Sequence, residues 1–129
     1  MRTRPYLYND LFKGYWEYIK STEAHGYSFP SGHVSGIASG YFAMIFLMDE
    51  EKKKKHIFIA IICILVMSFS RTYLMHHYPS DCLVGTLTGI LAAFISCIIT
   101  KNIYSYCEKH TDNKFCNFIL NWSLFGGEQ

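Results

Sequence analysis

The chain has 129 residues, half of them hydrophobic and 17% aromatic, with a formal net charge of +2. That is one domain at most, with ample apolar material for a core, which excludes a disordered chain; the small charge and the lack of an aromatic-interleaved basic stripe exclude a nucleic-acid binder. The five cysteines are odd in number, form no C-x-x-C pair and mostly sit in apolar runs. They read as buried small residues rather than as a disulfide frame or a zinc site.

Residues 1–30 read as an N-terminal loop, aromatic and charged, without the apolar stretch of a cleavable signal peptide. The loop carries Arg4-Pro5 and ends on Gly26-Tyr27-Ser28-Phe29-Pro30, an entry to a first apolar helix expected over 31–48. Ser31, Gly32 and His33 then present the backbone N–H groups of a helix N-terminus, an anion site, and Pro30 suits that entry because its φ is fixed. A charged connection over 49–55, with four consecutive lysines, leads to a second helix expected over 56–70. A short loop through Tyr78-Pro79-Ser80 leads to a third, expected over 81–100.

The third run is long enough to cross a hydrocarbon core of ~30 Å, and the first two reach that length when their flanks are included. A mean hydropathy only slightly above zero keeps a soluble helical core as the alternative. Consecutive spans alternate in direction, so the lysine connection lies far from Ser31 and from Arg71, and both of those clusters share one face. Lysines beside a span favour the cytoplasm, which puts the shared face outside it. Gly36 and Gly40 in the first helix, and Gly85 and Gly89 in the third, have the small-x-x-x-small spacing of close helix contact and leave room for a homo-oligomer. The tail, 101–129, contains an aromatic stretch that fits an interfacial helix.

The chemistry concentrates in two places. Arg71 offers a planar fork for phosphate oxygens, and His77 and Asp81, four apart, are close enough for the carboxylate to orient the imidazole. His33 supplies a second imidazole. His76 sits beside His77 but reads as a rim residue. No Asp/Glu cluster lies near the two groups, so no magnesium site is expected.

Ser28-Phe29-Pro30-Ser31-Gly32-His33 and Ser70-Arg71-x5-His77-x3-Asp81 resemble the second and third signature motifs of the type 2 phosphatidic acid phosphatase superfamily. Arg4-Pro5 resembles the end of its first motif, whose lysine would fall before Met1. The resemblance implies an all-α membrane bundle in which three long helices correspond to the later half of a six-helix phosphatase, so residues 1–129 would form a single, N-terminally truncated domain. It implies that His77 is the nucleophile, that Asp81 fixes its tautomer, and that His33 is proton donor and then base. Arg71, Ser31, the Gly32 N–H and Arg4 would bind the phosphoryl group, without metal or cofactor. The expected activity is hydrolysis of a lipid phosphomonoester or diphosphate, at the extracytoplasmic face of a bacterial inner membrane. The alternative is a non-catalytic remnant or partner subunit; vanadate-dependent haloperoxidases, which share the constellation, are a more distant third.

Overall fold

In the computed structural model, residues 2–7 and 27–121 are described; most of the N-terminal loop and the end of the tail lie outside them. Among the described residues the fold is all helical. A short 3-10 turn at Pro5–Leu7 precedes four helices: α1 Gly32–Leu47, α2 Glu50–Tyr73, α3 Pro79–Lys109 and α4 Lys114–Asn121. Two compact units are resolved, residues 1–94 and 95–129.

Two expected boundaries move. The lysine run is the first two turns of α2 rather than a connection, because Glu50 and Glu51 put negative charge at the helix N-terminus and Glu50 pairs with Lys53 one turn on. The connection shrinks to Met48 and Asp49, so α1 and α2 form a tight hairpin. The third helix starts at Pro79, which occupies the first helical position where a missing N–H costs nothing. It continues past Thr100 to Lys109, and the tail then forms α4, an amphipathic helix with Phe115 and Phe118 exposed.

At 1.5 Å per residue, α2 and α3 measure about 36 and 46 Å, and both are long and apolar enough to cross a membrane; α1, at about 24 Å, falls short. In the first unit a small core of Val34, Ala38, Ile64 and Cys82 joins α1, α2 and the start of α3. The four glycines of the two expected packing motifs divide. A Cβ on Gly85 would stand 2.7 Å from the Ser31 carbonyl oxygen, and one on Gly89 would stand 2.8 Å from the Ala38 Cβ and collide with the Ser35 carbonyl. Gly36 and Gly40 face open space. Helix α3 therefore supplies the flat surface, and α1 lays its backbone on it.

Candidate active site

The R-x5-H spacing has a local cause. Helix α2 ends in a Schellman motif: Met75 takes the left-handed conformation (φ 54°), its N–H bonds to the Thr72 carbonyl at 3.0 Å, and the His76 N–H bonds to the Arg71 carbonyl at 3.1 Å. The His77 N–H reaches the same Arg71 carbonyl at 3.3 Å. Arg71 is thus the residue whose carbonyl closes the helix, and the turn it closes delivers both histidines back over the helix end. The Met75 carbonyl in turn accepts from the Tyr6 N–H at 3.1 Å, which draws the segment after Arg4-Pro5 to the same place.

The H-x3-D spacing has a local cause too. Tyr78 caps α3, Pro79 follows it, and Asp81 stands at the third helical position, where its Oδ2 accepts the Tyr78 N–H at 2.9 Å. That is the acidic half of a capping box. The Asp81 carbonyl accepts the Ser31 N–H at 3.1 Å, seating the start of α1 on the first turn of α3. The two sequence clusters therefore meet at one end of the helices.

Asp81 does not make the bond expected of it. Its carboxylate, fully buried, holds the Tyr78 N–H with one oxygen and the Arg2 guanidinium with the other at 2.9 Å. The His77 Nδ1 lies instead 2.5 Å from the Ser28 carbonyl oxygen. A carbonyl only accepts, so Nδ1 carries the proton and the lone pair of the ring is on Nε2. Burial pushes the His77 pKa below the usual histidine value; the Ser28 carbonyl and the Asp81 charge oppose the shift, while Arg4 and His33 reinforce it. His77 is thereby kept neutral near pH 7, and Asp81 acts on it through charge. The same field places Arg4 and the exposed His33 within electrostatic reach of His77.

Three polar atoms at this end are buried with no hydrogen-bond partner among the described residues: Ser28 Oγ, Ser31 Oγ and Arg71 Nε. Ser31 is the N-cap of α1, yet its hydroxyl makes no capping bond. Leaving a buried donor unmade costs about 1–3 kcal/mol, so three such atoms at one helix end leave hydrogen-bonding capacity unused there. His76 corrects its rim assignment: it is 2% exposed and stands edge-on to the Tyr6 ring. Among the described residues no group of three metal-ligating side chains occurs.

The sequence assigns no individual role to Arg2 or Ser28. Ser28 acts through its backbone carbonyl, which carries no side-chain signature. Arg2 pairs with an acid 79 positions away, and no local pattern announces that.

An apolar groove of about 590 Å³ lies between α2 and α3. Thr72 and Pro79 line it beside the His77 loop, and Ile61 and Ile90 line it further along the shafts.

These features define an all-helical protein whose polar site is buried at one end of its helices, beside an apolar groove. The PAP2 superfamily model matches residues 1–105, from before Arg4-Pro5 to beyond the third motif, and the chain belongs to that superfamily, the type 2 phosphatidic acid phosphatases. No curated protein and no solved structure matches the chain. Membership supports a phosphatase-type hydrolase.

Proposed function

We propose that the protein is a membrane-embedded phosphatase that hydrolyses a phosphomonoester or diphosphate on a lipid through a phosphohistidine on His77. The observation that carries this reading is the His77 imidazole, buried and neutral with its proton on Nδ1, at a helix end where buried hydroxyl and guanidinium donors stand without partners.

In the first step the Nε2 lone pair forms a bond to phosphorus as the bond to the ester oxygen breaks, and His33 gives that oxygen its proton. In the second, His33 takes a proton from water, whose oxygen attacks phosphorus and releases inorganic phosphate and free His77. Arg71, Arg4, the Ser31 hydroxyl and the Gly32 N–H hold the phosphoryl oxygens and stabilise the charge that builds on them, which is the charge work a metal does in other phosphoryl transferases. Asp81 steadies the positive imidazole ring of the intermediate from a distance.

The lipid part of the proposal rests on the groove and on the long apolar helices. A hydrocarbon tail laid from Thr72 and Pro79 toward Ile90 would leave its phosphate at the His77 end. With the lysines of α2 on the cytoplasmic side, that end opens on the other face of the membrane.

The test is phosphate release from a lipid phosphate in detergent micelles, with labelled substrate used to trap the intermediate. Acid-labile, base-stable label on the wild-type chain, absent from His77→Ala and unaffected by chelators, is the expected result. Turnover that survives in His77→Ala overturns the mechanism.

A further inference from the structure

Arg2 bridges the two sides of the His77 loop. Its Nη1 donates to the Asp81 Oδ1 at 2.9 Å and to the Ser80 Oγ at 2.6 Å, and its Cζ lies 3.7 Å from the centre of the Tyr78 ring. Its backbone carbonyl accepts the Ser28 N–H at 2.9 Å, and the Ser28 carbonyl is the group that meets His77 Nδ1. One residue thus grips the chain just after His77 by its side chain, and the segment that orients His77 by its backbone. Asp81 is fully buried, and a carboxylate removed from water needs a charged or hydrogen-bonding partner to offset its lost hydration. Arg2 is that charged partner. The guanidinium lies against a ring and shares one nitrogen between two protein acceptors, in contrast to Arg71, whose Nε is buried without one.

We infer that Arg2 is a positioning residue of the hydrolase site: it holds the Asp81 carboxylate in place and acts on the reaction through Asp81, without binding the phosphoryl group. The inference rests on the phosphatase reading above. It separates Arg2 from Arg4 and Arg71, although all three are arginines at the same end of the fold.

The experiment is a double-mutant cycle on the full-length protein in detergent, with wild type, Arg2→Ala, Asp81→Asn and the double variant. Hydrolysis of p-nitrophenyl phosphate gives kcat, and inhibition by inorganic phosphate gives Ki. Arg2→Ala is expected to lower kcat about tenfold, the low end of the loss typical when the partner that supports a functional group is removed, with Ki unchanged within about twofold. In the Asp81→Asn background the same change is expected to cost less than about threefold, because the group it acts through is gone. Arg2→Lys restores part of kcat, since an ammonium reaches Asp81 but cannot lie across Tyr78. It carries the same cycle if the alanine variant does not accumulate.

A Ki that rises about tenfold in Arg2→Ala makes Arg2 a phosphate ligand and overturns the inference, as do losses that multiply in the double variant. Either result leaves the phosphatase reading standing. A wild-type chain that neither hydrolyses the ester nor binds phosphate removes that reading, and the inference with it.

Discussion

The polar end of this molecule and the shafts of its long helices differ in what they bury and what they expose. At the His77 end, Ser28, Ser31, His76, His77 and Asp81 are all buried, cross-linked by an ion pair and by backbone bonds between distant segments. Along the shafts of α2 and α3, Val66, Phe69, Leu83 and Leu87 are each more than half exposed. Polar groups are taken from solvent only where hydrogen bonds or a ligand repay them, whereas exposed apolar rows need an apolar surround or another helix. Precision is therefore built into the polar end, while the shafts present apolar rows that call for a cover.

The largest effect that sharpens this contrast comes from the polar end. His77→Ala is expected to lower kcat/KM at least ~10⁴-fold, because His77 is the imidazole seated on the Ser28 carbonyl and its removal takes the nucleophile away. The helical circular dichroism should be unchanged. A loss below tenfold would mean that the phosphoryl group is attacked by water directly.

The next effect belongs to the shafts. Gly89→Ala drives a methyl group into the α1 backbone at Ser35 and is expected to destabilise the protein by about 1–3 kcal/mol, or more if α1 detaches; Gly85→Ala follows it. Gly40→Ala meets nothing within 4 Å and gains up to ~1 kcal/mol from helix propensity. Thermal unfolding in detergent compares the three. Equal behaviour of Gly40 and Gly89 would contradict the one-sided packing of α3.

A smaller effect is read in pH. Burial lowers the His77 pKa, and the neutral ring is the reactive one, so kcat/KM falls as pH drops through a value below the ordinary ~6.5. The facing charges set where. Asp81→Asn removes a group that favours the protonated ring and should move the acid limb down, while Arg4→Gln removes one that disfavours it and should move the limb up. A limb that stays in place in both variants belongs to a group other than His77.

How far the sequence reveals this site depends on how local each cause is. Arg71, His77 and Asp81 stand out in the sequence by their motif spacing, and the structure gives that spacing local causes in a Schellman turn and a capping box, each confined to a few residues. The meeting of Ser31 with Asp81 followed from helix alternation. The orientation of His77 by Ser28, and the capture of Asp81 by Arg2, join segments about fifty and eighty positions apart, and neither has a local pattern. Helix ends were misjudged for a different reason: a run of lysines reads as a solvated turn until Glu50 and Glu51 are seen as the start of a helix.

The smallest prediction concerns the turn that delivers the histidines. Met75 pays for its left-handed backbone, about 1–2 kcal/mol for a residue with a Cβ, at a position most Schellman motifs give to glycine. Met75→Gly removes that strain but adds ~0.5–1 kcal/mol of unfolded-chain freedom, so a net gain near 0.5 kcal/mol is expected, with kcat unchanged. The half-buried methionine side chain works against the gain. Urea unfolding in detergent decides between them: a variant less stable than wild type would show that packing around Met75, more than backbone geometry, holds the His77 loop to the end of α2.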